Sequence, residues 1–271
     1  MKIGIIGAGH IGSTLAKLLV QQGHTVLIAN SRGPQTLKQV QEETKAKPVE
    51  LLEIVQEGDL DIIILTIPFK NVSLLPKNLF QNLPQQVIVV DTCNYYPGVR
   101  DSPTDELDKE IITHSEWVSQ QIGHSVVKVF NNILTHSLAV KGAKKGQTRI
   151  ALPVAGNDPS KKKVILDLVD QLGFDPVDSG TLDESWRQHP ATPSYCTDLN
   201  VDDLKQALHS ADKTIRVQLL SQAFSQYGKV HLAYCEKHGK DATKFTFQDL
   251  LDEGGDEIND IVVNINRSLY Q

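Results

Sequence analysis

The chain of 271 residues is poor in sulfur and in aromatic rings: it has three cysteines, one methionine and two tryptophans, and Phe, Trp and Tyr together make up only 6%. Cys93, Cys196 and Cys235 lie far apart and leave one thiol over in any pairing, which argues against a disulfide framework and for a reducing, cytoplasmic setting. Basic excess is missing as well. Lys and Arg number 27 against 33 Asp and Glu, a formal charge of -6 that speaks against a nucleic-acid partner. The longest apolar run, residues 62–67, is far short of the roughly 20 residues that span a bilayer, so no membrane partner is expected. The first strand pattern starts at Lys2, so no secretory signal is expected.

What is present is concentrated at the start. Residues 2–12 read Lys-Ile-Gly-Ile-Ile-Gly-Ala-Gly-His-Ile-Gly, an apolar strand running into a glycine-rich turn that opens a helix-forming stretch. This is a dinucleotide-binding fingerprint. Gly7 makes the tight turn, Gly9 removes the side chain that would hold the backbone away from a pyrophosphate, and Gly12 lets helix and strand pack closely. The phosphates then meet the free N–H groups and positive dipole end of the first helix. Leu15, Leu18 and Leu19 continue at helical spacing towards Gly23, a C-terminal stop. His10 and Ile11 fall inside the turn, within reach of the cofactor.

A second absence selects the dinucleotide. NAD sites place an Asp or Glu at the end of the second strand to accept hydrogen bonds from the ribose hydroxyls. Here the strand 25–29 is followed by Asn30-Ser31-Arg32-Gly33-Pro34, with no acid. A hydroxyl, a guanidinium and a helix start near Pro34 are donors suited to the 2′-phosphate of NADP(H), and Lys38 adds a charge one turn later.

Strand and helix signals keep alternating. Residues 49–57 look helical; 61–66, 87–91, 126–130 and 149–155 read as buried, mostly β-branched strands; Asp158-Pro159 starts a helix over 161–172, and 174–178 closes as a strand. The fold class is therefore α/β, a Rossmann-type doubly wound parallel sheet over residues 1–180, followed by a mainly helical region over 181–271 that covers substrate or forms a dimer contact. In that region 202–227 carries an apolar stripe of Leu204, Ala207, Leu208, Ala211, Ile215, Leu219 and Phe224, Thr246 caps a short helix, and 258–269 forms a last one. Ligands in such sheets sit beyond the carboxyl ends of the strands, which makes Thr66-Ile67-Pro68, Asp91 to Asn94 and Asn131-Asn132 cofactor-facing.

No acid–base constellation accompanies the nucleotide site, as hydride transfer between planar rings needs positioning more than proton transfer. His136 is the nearest candidate donor, against an ordinary loop histidine, with Asn131 beside it. Trp186 and Arg187 lie where the doubly wound pattern ends; they either wall the acceptor and bind its anion or anchor the junction to the helices. His231, Cys235 and His238 share one helix face, but nothing nearby supplies a fourth zinc ligand and an amphipathic face explains the spacing, so no metal is expected. Cys93 reads as packing and residues 161–163, three lysines, as a solvated face.

The turn Gly7 to Gly12, the Asn30 to Pro34 loop, Thr66-Ile67-Pro68 and Lys128-Val129-Phe130-Asn131 resemble the coenzyme F420-dependent NADP reductases over about the first two-thirds of the chain. The nucleotide part is also similar to the cytosolic domain of membrane metalloreductases, which pass electrons from NADPH to a flavin. The first resemblance implies NADP held by Ser31 and Arg32 and a deazaflavin (coenzyme F420) as the second, small-molecule redox substrate, the second resemblance a flavin in that place; a homodimer is expected. A small-carbonyl or imine dehydrogenase and a nonenzymatic NADP sensor are the alternatives.

Overall fold

The computed structural model describes residues 1–56 and 58–270. Six parallel strands form the main sheet: β1 (Lys2–Ile6), β2 (Thr25–Ala29), β3 (Lys47–Pro48), β4 (Ile62–Leu65), β5 (Ile88–Asp91) and β6 (Val126–Lys128), in the order β3-β2-β1-β4-β5-β6. That is the doubly wound order, with its reversal between β1 and β4. The interior positions of the strands are apolar because both faces are covered. Ile3, Ile5, Ile62 and Ile64 point into one core with Leu15, Leu19 and Phe174, while Ile6, Ile63 and Leu65 point into the other with Ile54, Phe69 and Val118. The alternation follows from the two-residue period of a strand.

Helices α1 (His10–Gln21), α2 (Lys38–Thr44), α3 (Leu51–Gln56), α4 (Asp105–Asp108), α5 (His114–Ile122), α6 (Thr135–Val140) and α7 (Pro159–Gln171) surround the sheet. The helix expected over 49–57 is α3, and Glu57, its expected end, lies outside the described residues. Asp158 caps α7 as its sequence implies, its carboxylate accepting from the backbone N–H of Ser160 at 2.9 Å and Lys161 at 3.2 Å.

One expectation is corrected here. The last two strands, β7 (Ala151–Val154) and β8 (Asp175–Asp178), do not extend the parallel sheet; they pair with each other and meet β6 through an antiparallel bridge between Lys128 and Ala155. Strand composition carries no information on direction, so the sequence pattern could not register the reversal.

The region after 180 is helical: α8 (Val201–Ser210), α9 (Lys213–His238), α10 (Phe247–Glu253) and α11 (Gly255–Ser268). The stripe expected along one helix from 202 to 227 is split, because Asp212 accepts from the backbone N–H of Thr214 at 2.8 Å and starts a new helix. Ile215 then falls outside the packed face, at 39% exposure. Thr246 caps α10 in a reciprocal capping box with Asp249. Helices α9 to α11 return over the carboxyl ends of the strands and, with α6, close one side of a cleft. No helix among the described residues is long and apolar enough to cross a membrane.

Candidate active site

The glycine turn has three glycines with three different physical reasons. Gly7 has φ +114°, and a Cβ there would lie 2.6 Å from the Thr66 carbonyl oxygen. At Gly12 a Cβ would lie 2.0 Å from the Gly7 carbonyl oxygen, so helix and turn touch backbone to backbone. Gly9 differs: no protein atom lies within 4 Å of where its Cβ would be, and the residue faces the cleft. Protein packing requires glycine at 7 and 12, whereas position 9 is open towards a ligand. It is also the N-cap of α1 and supplies no side-chain cap, so the first N–H groups of that helix stay available to an anion.

Thr66 holds this turn. Its hydroxyl donates to the Gly7 carbonyl at 2.7 Å, so the side chain shapes the cradle while Ile67 and Pro68 continue along the cleft wall. Beyond β2, Asn30 Oδ1 accepts from the Arg32 backbone N–H at 2.9 Å and Asn30 Nδ2 donates to Thr36 Oγ1 at 2.9 Å. Asn30 therefore folds the loop, leaving the side chains of Ser31 and Arg32 exposed and without a hydrogen-bond or ion-pair partner among the described residues. Lys38, at the start of α2 and after a 3-10 turn over Pro34–Leu37, is likewise exposed. An open diphosphate cradle and a loop of unengaged donors, with no carboxylate at the strand end, fit a dinucleotide bearing a 2′-phosphate.

The cleft has a volume of about 720 Å³ and is lined mainly by apolar and aromatic side chains, among them Ile67, Phe130, Ile133, Leu220, Phe224 and Phe247. At its centre the strand ends are tied together by amides. Asn131 Nδ2 donates to Asn94 Oδ1 at 3.0 Å and to the Gln188 carbonyl at 2.7 Å, while Gln188 Nε2 donates back to Asn131 Oδ1 at 3.0 Å. Asn94 Nδ2 donates to the Asn131 carbonyl at 2.7 Å and lies 3.3 Å from the Tyr195 hydroxyl, which itself contacts the Tyr96 hydroxyl. Arg100 donates to the Asn94 carbonyl, with its guanidinium 4.7 Å from the centre of the Tyr96 ring. Phe130, Ala191 and Cys196, all lining the cleft, have φ of 60°, 63° and 52°. Such left-handed non-glycine backbone costs energy and collects at functional sites.

Several expected site residues are elsewhere. Asp91 does not line the cleft: it is fully buried beneath the strand end, where its carboxylate accepts from Lys128 Nζ at 3.0 Å, Ser115 Oγ at 2.6 Å and the Cys93 backbone N–H at 2.8 Å. Its role is to shape the 92–94 loop from below. Cys93 directs its thiol to the Ile67 carbonyl at 3.2 Å, and burial, followed by the Asp91 charge, pushes the thiol pKa up, which makes it a packing group. His136 is bound to Asp256 of α11 at 2.8 Å and does not line the cleft, although its neighbour Thr135 does. Arg187 pairs with Glu184 at 2.6 Å, donates to the Leu208 carbonyl at 3.2 Å and lies 4.5 Å from the Trp186 ring centre. Arg187 thus ties the 183–188 turn to α8, and neither side chain lines the cleft. His10 faces the cleft and reaches Asp252 of α10 at 3.2 Å. His231 binds the Phe245 carbonyl at 2.6 Å, and His238 stacks on Tyr234 with ring centres 4.1 Å apart. Lys162, expected to be solvated, is instead paired with Asp178 at 2.7 Å.

Tyr96, Tyr195 and Arg100 are among the cleft residues that sequence reasoning did not nominate. Tyr96 and Tyr195 are 99 positions apart, and no local pattern links them.

Residues 2–95 match the family model described as NADP oxidoreductase, coenzyme F420-dependent. Over 82 residues, 30% of this chain, the sequence is 42% identical to protein YjhV of Escherichia coli K12, and the chain spans 60% of that relative's length. It is 27% identical over 205 residues to the F420-dependent NADP reductase of Methanocaldococcus jannaschii, covering 71% of this chain and 90% of that one. The crystal structure of a hypothetical protein from Sinorhizobium meliloti superposes with a TM-score of 0.63 at 32% identity, over 74% of this chain and 95% of that chain.

Proposed function

We propose that the chain, whose residues 2–95 match the coenzyme F420-dependent NADP oxidoreductases, is an NADP(H)-dependent reductase passing hydride between NADPH and a flat organic redox acceptor bound in the cleft. The observation that carries this reading is the pairing of an open cradle at Gly9 with the exposed Ser31 and Arg32 side chains, adjoining an apolar cleft of about 720 Å³. Backbone N–H groups at the start of α1 would hold the diphosphate, and Ser31, Arg32 and Lys38 the 2′-phosphate. Bound NADPH supplies the hydride. Ile67, Pro68, Asn94 and Asn131 form the wall against which a nicotinamide ring would lie, and α9 to α11 exclude water from the opposite side. Fixing two flat partners in a dry cleft supplies much of the rate, since orientation alone removes a large part of a bimolecular barrier.

The deazaflavin and flavin classes remain the leading acceptors on family grounds. The test is a screen of NADPH oxidation, followed by the loss of nicotinamide absorbance, against deazaflavin, flavins, quinones and ferric chelates. Turnover with at least one flat organic acceptor, with NADPH preferred over NADH, is expected. Oxidation by ferric chelates alone would overturn the hydride reading.

A further inference from the structure

The Tyr96–Tyr195 pair holds one hydrogen more than its oxygen and nitrogen neighbours use. Asn94 Nδ2 donates to the Asn131 carbonyl at 2.7 Å, and a carbonyl cannot donate, so the orientation of the Asn94 amide is fixed. The group it presents to Tyr195 at 3.3 Å is therefore a donor, and the Tyr195 oxygen accepts. Two hydroxyls carry two hydrogens and their mutual contact uses one. The remaining hydrogen finds no oxygen or nitrogen acceptor among the described residues; the other side-chain partner of Tyr195 is the Cys196 sulfur, a weak acceptor, and both hydroxyls belong to side chains lining the cleft. A hydroxyl that already accepts bonds is a stronger donor. Burial raises the Tyr96 pKa to about 12 and that of Tyr195 well above its ordinary value, so both phenols keep their hydrogen at any working pH.

The rest of the cleft limits what that donor meets. Arg100 is the one permanently charged side chain lining it. His10 is turned to Asp252 and His231 to the Phe245 carbonyl. The apolar walls favour a conjugated ring at this donor, with any charged tail outside them.

Resting on the NADPH-dependent reading above, we propose that the Tyr96–Tyr195 pair is the hydrogen donor to the acceptor, binding and protonating an oxygen or nitrogen next to the carbon that is reduced. The acceptor accordingly presents a flat conjugated carbonyl or imine to the pair. When hydride from the reduced nicotinamide adds to that carbon, the C=O or C=N π pair moves to the heteroatom. The phenolic proton then passes to the heteroatom, and the phenol regains a proton from water at the exposed Arg100 rim. An alkoxide or amide anion is far more basic than phenolate, so the transfer runs downhill.

The test uses lumichrome, a neutral three-ring dicarbonyl, titrated by its fluorescence into the NADP-saturated protein, with naphthalene as a flat probe lacking an acceptor atom. Tyr96→Phe/Tyr195→Phe is expected to weaken lumichrome about fivefold or more, equivalent to about 1 kcal/mol, while leaving naphthalene, NADPH affinity and melting unchanged. With 2-methyl-1,4-naphthoquinone, kcat should fall roughly 10²-fold at constant KM for NADPH. The single Tyr195→Phe change reads the same two quantities if the double variant melts lower. Lumichrome failing to bind the unmodified protein, or unchanged affinity and kcat in the variants, overturns the proposal. Failure of the unmodified protein to bind NADPH would instead overturn the reading on which it rests, and the proposal with it.

Discussion

Lys128 Nζ lies 3.0 Å from Asp91 Oδ2, and neither side chain has any exposed surface. Lys128 also donates to the Cys93 carbonyl, so one buried ammonium joins the end of β5 to the loop that walls the cleft. Removing one partner of a buried pair strands the other charge in a low-dielectric interior, at a cost of about 3–5 kcal/mol. Lys128→Met is expected to lose that much stability in urea unfolding, with part recovered in Lys128→Met/Asp91→Asn. A single variant within about 1 kcal/mol of the parent would show that the pair does not act as described.

The three glycines of the turn separate ligand from fold. Gly12→Ala drives a Cβ against the Gly7 carbonyl and should lower the melting temperature strongly. Gly9→Val meets no protein atom within 4 Å of its Cβ and should melt normally while losing NADPH. Calorimetry beside a binding titration on both variants decides this; retained NADPH affinity in a folded Gly9→Val protein would refute the cradle.

His114 and His189 predict an acid limb of stability. Their rings stack with centres 3.4 Å apart, both buried, and burial holds each pKa well below the ordinary histidine value, aided by Arg216 for His114 and by His114 for His189. The unfolded chain takes up protons on them below about pH 6.5, whereas the folded protein does not. Stability is therefore complete above that pH and declines as pH falls, by up to about 1.4 kcal/mol per pH unit for each ring. Urea unfolding at intervals from pH 7 to pH 5, above the main carboxylate range, should show the slope. A flat profile there would contradict the buried neutral pair.

Arg187 offers a check on the 183–188 turn. Its bonds run to Glu184 and to the Leu208 carbonyl, so Arg187→Ala should lower stability by about 1 kcal/mol and leave acceptor kinetics unchanged. Weaker acceptor binding at unchanged melting would return the residue to the substrate site.

Local pattern made the first part of the molecule legible. Gly7, Gly9 and Gly12, the uninterrupted apolar strands and the caps at Asp158 and Thr246 are each set by residues within a few positions of one another. Relationships over longer separation were not. Asp91 at a strand end could face a ligand or a buried cation, and the deciding partner, Lys128, lies 37 positions away. Arg187 could bind an acceptor's anion or anchor the junction, and its deciding contact with the Leu208 carbonyl depends on where α8 packs. The Tyr96–Tyr195 contact exists only because the segment after Gln188 folds back over the strand ends.

The central claim, that Ser31 and Arg32 make this an NADP(H) protein, is tested most directly by calorimetric titration of NADPH and NADH into the parent and into Arg32→Ala. The account predicts NADPH at least about tenfold tighter than NADH in the parent, about 1.4 kcal/mol, with most of that difference gone in the variant. Equal affinity for the two cofactors in the parent would contradict it.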